Sequence, residues 1–348
     1  MDYGARIVSE TEIRATYPYH PYAWQQLFWQ QLDELLVQQR LPHALLLSGA
    51  EGIGKERFAK AFVARLLCQS PRDGVACGQC KSCILLAAGT HPDCMWLTFL
   101  TDEKTGKTAK SIKVDQVREL VEFSAKSAQM GGWRVMVMTP AHLLNTQAAN
   151  ALLKTLEEPG RDTVLLLLSS QPLSLMPTLR SRCQQRALPV PTEAEALAWL
   201  APQVGDENKA RLLLALSRGA PLAALSLREA EWFSQREGLL RDLMQLTQQR
   251  QTALATAQRW HSLGADSLLT ALLSLLDDLV AAALGAATVV KHRDLAPIIE
   301  GMSAHFQPAA LLRFRQGLAD RQRLLAGNVQ GGALIDATFS DWVALTSR

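Results

Sequence analysis

The sequence has almost no net charge: 36 Lys and Arg stand against 33 Asp and Glu, a balance of +3. A protein that coats nucleic acid carries a clear basic excess, so that class has no sequence-wide footprint here. Long apolar runs are missing too. The longest spans only residues 279–290, between Asp278 and Lys291, where a membrane span needs about 20 apolar residues. It reads as a core helix. The N-terminus carries acids early and no apolar stretch, so no signal peptide is expected, and the chain reads as cytoplasmic with no membrane partner. Cysteine is scarce, and four of the six cysteines fall between positions 68 and 83. A disulfide framework would spread pairs over a small secreted chain, so this cluster points to a metal instead. Apolar residues, by contrast, make up 48% of the 348, enough for two or three buried cores.

Residues 1–20 show no periodicity and read as a flexible extension. From Pro21 a helix is expected, with Trp24, Leu27, Phe28, Leu32, Leu35 and Leu36 on one face. The run Ala44-Leu45-Leu46-Leu47 reads as a strand, followed by a glycine turn and a helix over 56–68. Further buried strands are expected over 94–99, 134–138 and 163–168, alternating with helices over 114–126 and 147–157. Short apolar strands between helices imply a parallel sheet covered on both faces. After Cys183 the strand signals fade. The expected organisation is an α/β domain over 21–187 with a metal-binding insert at 68–83, a small helical domain over 188–230, and an all-helical domain over 231–348.

Gly49-Ala50-Glu51-Gly52-Ile53-Gly54-Lys55 fits the phosphate-binding pattern GxxxxGK between a strand and a helix. Its glycines, Gly49, Gly52 and Gly54, turn backbone N–H groups toward phosphate oxygens, and Lys55 reaches the outer phosphates. The pattern should close with Ser or Thr, whose hydroxyl holds Mg²⁺, but Glu56 stands there. A carboxylate at that point repels a triphosphate. A working ATPase also needs an acid at the end of a neighbouring strand. Here Val135-Met136-Val137-Met138 runs into Thr139-Pro140, and no Asp or Glu occurs between Glu122 and Glu157. ATP hydrolysis is therefore not expected. Inert nucleotide binding stays open.

Cys68, Cys77, Cys80 and Cys83 follow C-x8-C-x2-C-x2-C. Four thiolates complete a tetrahedral Zn²⁺ site, closed and therefore structural. An iron–sulfur cluster uses the same four ligands and stays open as an alternative.

The stretch Asn150-Ala151-Leu152-Leu153-Lys154-Thr155-Leu156-Glu157-Glu158-Pro159 resembles the signature of the bacterial clamp-loader subunits, a family of AAA+ proteins. The four-cysteine insert and Ser181-Arg182-Cys183 match the same family. The family's motor subunits, gamma and tau, keep the Thr after the P-loop lysine and an Asp-Glu pair on the neighbouring strand. This chain resembles the branch that has lost them. The resemblance implies an AAA+ parallel-sheet domain, a small helical lid and a C-terminal helical collar that joins an oligomer. It implies a five-subunit ring with gamma/tau and delta that places a sliding clamp on primed DNA. It also implies that Arg182 is an arginine finger reaching the ATP of a neighbouring motor. Leu222, after Gly219-Ala220-Pro221, stands where the family often has a nucleotide-sensing Arg. Two rival functions remain at this stage: an active motor-type ATPase, and a zinc-dependent nucleic-acid-binding module with a decayed P-loop.

Overall fold

The computed structural model describes residues 17–98, 112–325 and 329–346. The chain divides into two compact units, Met1–Glu195 and Ala196–Arg348.

The first unit is built on five parallel strands: β1 (Ala44–Ser48), β2 (Cys94–Leu97), β3 (Arg134–Met138), β4 (Thr163–Ser169) and β5 (Gln184–Ala187). Their order across the sheet is β2-β3-β4-β1-β5. Leu46 of β1 is aligned with Leu167 of β4 on one side and Gln185 of β5 on the other. All of β3 and β4 is buried, which is why residues 135–138 and 164–168 read as unbroken apolar runs. Around the sheet lie helices α1 (Gln26–Val37), α2 (Lys55–Leu67), α3 (Lys81–Ala87), α4 (Val114–Ser124), α5 (Thr146–Glu157) and α6 (Pro177–Arg180). Asn145 caps α5 by accepting from the Ala148 N–H at 2.8 Å.

Three expectations for the first unit need correction. Strand signals do not end at Cys183, because Gln184–Ala187 pairs with β1 as an edge strand. Its sequence QQRA is polar and largely exposed, so no apolar alternation marked it. The strand expected over 94–99 is Cys94–Leu97, residue 99 lying outside the described residues. Of the extension expected to be flexible, residues 1–16 lie outside the described residues, but 17–20 are anchored. The Tyr17 hydroxyl donates to the Lys60 carbonyl at 3.3 Å, that of Tyr19 to the Cys83 carbonyl at 3.2 Å, and Arg57 Nε to the His20 carbonyl at 3.1 Å.

One buried ion pair organises the start of β3. Arg134 and Asp93 have side chains 2% and 0% exposed and meet at 3.2 Å. Arg134 also donates to the carbonyls of Phe123 and Ser127, both at 2.7 Å. Asp93 accepts from the backbone N–H groups of Gln129 and Met130 at 2.7 and 2.8 Å. Both Nη atoms of Arg134 and both carboxylate oxygens of Asp93 are thus used to hold the chain between α4 and β3.

The second unit is helical: α7 (Glu193–Val204, which begins in the first unit), α8 (Glu207–Leu216), α9 (Pro221–Glu229), α10 (Glu231–Thr247), α11 (Ala253–Trp260), α12 (Ala265–Ala283), α13 (Ala296–Ser303), α14 (Pro308–Leu325) and α15 (Gly331–Thr346). Its described residues include two apolar clusters. The smaller gathers Ala196, Leu200, Leu213, Ala224 and Phe233. The larger surrounds α12 and takes in Leu243, Leu276, Phe339 and Trp342. The apolar run at 279–290 is not one helix: α12 ends at Ala283, and Gly285 turns the chain at φ 76°. Asp278, buried on α12, accepts from the N–H groups of Lys291 and His292 at 3.0 and 2.7 Å and from the His292 ring at 2.7 Å. The returning segment is thereby tied to the helix it left. No single helix among the described residues is long and apolar enough to cross a membrane.

Replacing Arg134 with Met leaves the Asp93 charge buried without its partner. Chemical denaturation should show the variant less stable by about 3–5 kcal/mol; a loss under about 1 kcal/mol, the value of an exposed pair, would contradict this role.

Candidate functional site

The P-loop leaves β1 at its carboxyl end and enters α2 through Gly54. Gly54 adopts φ 95° and ψ 27° as the residue preceding the helix, a left-handed conformation that favours glycine. Space demands glycine as well, since a Cβ there would sit 2.6 Å from the Tyr22 ring. Gly49 and Gly52 also have positive φ, at 155° and 80°. Trp24 Nε1 and Gln25 Nε2 both donate to the Ile53 carbonyl, at 3.1 and 3.0 Å. Trp24, read from sequence as packing, is indeed 6% exposed, and it fixes the loop besides. Tyr22 stacks on Trp24 with centroids 4.5 Å apart.

Lys55 lies folded onto its own loop, donating to the carbonyls of Gly49 at 2.9 Å and Ala50 at 2.8 Å. Burial lowers its pKa from the ordinary lysine value, against the pull of the Glu51 and Glu56 carboxylates. Beside it, Thr139 at the end of β3 donates its hydroxyl to Glu56 Oε1 at 3.4 Å. Sequence reasoning singled out these two positions separately. Their contact is what the fold adds: the acid stands on the helix and the hydroxyl on the strand, the reverse of the arrangement that holds Mg²⁺ in a P-loop ATPase.

The four cysteines converge. One sulfur from each of Cys68, Cys77, Cys80 and Cys83 lies within 4.8 Å of all the others. Cys68 Sγ is 3.5 Å from that of Cys77 and 3.9 Å from that of Cys80. None of them forms a disulfide. Backbone N–H groups point at the sulfurs, Cys77 N to Cys68 Sγ at 3.2 Å and Cys80 N to Cys77 Sγ at 3.3 Å. Burial works against a charge on Cys77, yet hydrogen bonds from Ser70 and from the N–H groups of Gln79 and Cys80 hold its pKa down to about 6. Burial pushes the Cys83 thiol up. The donor set is one that can hold a metal ion: four sulfurs at coordination spacing, with N–H groups aimed at the charge they would carry.

Arg182 lies two residues beyond α6, with its side chain 35% exposed. Its Nε donates to Glu157 Oε1 at 2.7 Å, Nη2 pairs with the same carboxylate, and Nη1 donates to the Thr178 carbonyl at 3.0 Å. Sequence reasoning did not single out Glu157 as a partner of Arg182. The two residues are 25 positions apart, on elements with no common periodicity, so only the fold could bring them together.

A family profile described as "DNA polymerase III, delta subunit" matches residues 24–192, and one described as "DNA polymerase III, delta subunit, C terminal" matches 230–330. Among curated proteins, DNA polymerase III subunit delta' of Pseudomonas aeruginosa is 46% identical over 243 residues, 69% of this chain and 71% of that protein. The subunit of the same name from Yersinia pestis is 38% identical over 312 residues, 88% of this chain and 90% of its own length. DNA polymerase III subunit tau/gamma of Haemophilus influenzae is 30% identical over 246 residues, 70% of this chain but 31% of that protein. Among solved structures, a gamma subunit-related protein of Thermotoga maritima aligns over 91% of this chain and 99% of its own at 15% identity, with a TM-score of 0.46.

Proposed function

Because the chain belongs to the family of DNA polymerase III delta' subunits, components of the clamp loader, we propose that it serves there without hydrolysing ATP. Its part in the reaction is to supply Arg182 to the nucleotide held by a neighbouring gamma/tau motor subunit. The observation that carries this reading is the Glu56–Thr139 contact. It leaves the P-loop backbone intact and takes away both metal ligands, so the phosphate cradle survives without the chemistry. Arg182, meanwhile, sits partly exposed with donors to spare.

In hydrolysis by the neighbour, water forms the new bond to the γ-phosphorus as the bridging P–O bond to ADP breaks. Negative charge gathers on the oxygens around that phosphorus. A guanidinium brought against them stabilises the transition state more than the ground state, and it neither gives nor takes a proton. The same contact makes turnover depend on assembly, since the motor lacks the group until this chain is beside it. In this reading residues 188–230 form the lid and 231–348 the collar that joins the ring with gamma/tau and delta. The whole works in the cytoplasm, placing the sliding clamp on primed DNA. A motor role for this chain is disfavoured by Glu56 and Thr139 together. A free-standing nucleic-acid module is disfavoured by the near-neutral charge of +3.

The cysteine site is read as zinc. With Zn–S bonds of about 2.3 Å, a tetrahedron places its sulfurs about 3.8 Å apart, close to the 3.5 and 3.9 Å separations here. A four-iron cluster would stand between the sulfurs and hold them farther apart. Cys68, Cys77, Cys80 and Cys83 would all ligate the ion, leaving no open position. Its contribution is a cross-link between the end of α2 and α3.

Two outcomes follow. In a reconstituted clamp loader, Arg182→Ala should assemble normally and lower clamp- and DNA-stimulated turnover at the site it faces by about 10³-fold; unchanged turnover in an assembled complex would refute the finger. Metal analysis of the purified chain should find one zinc per chain, lost in Cys77→Ser/Cys80→Ser together with a lower melting temperature. Iron, or no stoichiometric metal, would refute the zinc reading.

A further inference from the structure

Resting on the reading of Arg182 as a finger, we infer that Glu157 is its positioning residue: it holds one edge of the guanidinium so that the other faces the neighbour's phosphate. A guanidinium has five N–H donors in a rigid plane. Three are engaged, Nε and one on Nη2 by Glu157, and one on Nη1 by the Thr178 carbonyl. Two remain, one on each Nη. Those are the atoms at the outer end of the side chain, where a phosphate oxygen is met. Glu157 therefore does not compete for the donors the reaction needs. It removes the rotations that would otherwise scatter them.

Two features argue that this contact serves orientation more than stability. The Glu157 side chain is half exposed and that of Arg182 a third, and ion pairs at such positions contribute little to folding. Glu157 is also the last residue of α5, where the negative end of the helix dipole disfavours an acid. A carboxylate kept at a disfavoured position, on the one partner that can use its fork of donors, is placed for geometry. Thr178 adds the second fixed point through its backbone carbonyl, on the short helix α6 that carries the chain toward Arg182. The guanidinium is thus held from two elements at once. Such preorganisation raises the rate by sparing the reacting complex the cost of ordering a long side chain.

The test uses reconstituted clamp loaders in which only the motor subunit facing this chain keeps an intact P-loop lysine. Glu157→Gln preserves shape and one neutral acceptor but removes the charge. Assembly should be unchanged, and kcat for ATP should fall about tenfold with the KM unaltered. In the double variant Arg182→Ala/Glu157→Gln the turnover should equal that of Arg182→Ala alone, because Glu157 acts only through the finger. An unchanged or raised kcat for Glu157→Gln, a further loss on top of Arg182→Ala, or failure of the Gln variant to assemble would each overturn the inference. If Arg182→Ala itself leaves turnover intact, the finger reading falls. If Arg182→Ala loses turnover and Glu157→Gln does not, the finger stands and its positioning by Glu157 falls.

Discussion

Thr139 donates a hydrogen bond to Glu56 at the mouth of the P-loop, and the chemistry open to the first unit follows from which of the two is the acid. A metal-dependent ATPase needs a neutral hydroxyl on the helix and a carboxylate at the strand end. Here the carboxylate stands on the helix and the strand end offers only a hydroxyl. The surrounding frame is kept intact: glycines at positive φ, Lys55 on the loop carbonyls, and Trp24 and Gln25 on Ile53. These contacts make the loop a fixed part of the first unit's architecture.

Rigidity also links the cysteine cluster to the P-loop. Cys68 follows the last residue of α2, and the same helix begins at Lys55. The segment from Tyr17 to Gln25 runs beside both: Tyr19 bonds to the Cys83 carbonyl, Arg57 lies 4.6 Å over the Tyr22 ring, and Tyr22 packs on Gly54. Cluster, helix and loop are thereby tied along two routes, one covalent and one through aromatic rings.

Much of this was legible in sequence because the signals were local. The buried strands over 134–138 and 163–168 were each carried by an apolar run of four or five residues, the glycine turn had a fixed spacing, and four cysteines lay within sixteen residues. What sequence missed was nonlocal or polar. Gln184–Ala187 is a strand because β1 offers it an edge, not because its residues favour one. The turn at Gly285 stayed hidden inside an apolar run, since its stabilising contact comes from Asp278 reaching forward to residues 291 and 292. Nothing local marked Glu157 as a partner of Arg182, beside which the fold sets it. Glu56 and Thr139 were each read as losses, and only the fold brings the two into contact.

The most direct test of the account is ATP turnover by the isolated chain in the presence of Mg²⁺, measured for the wild type and for Lys55→Ala. The Glu56–Thr139 arrangement predicts no turnover above background in either. Magnesium-dependent hydrolysis by the wild type that disappears in Lys55→Ala would contradict it, and would make this chain a motor in its own right.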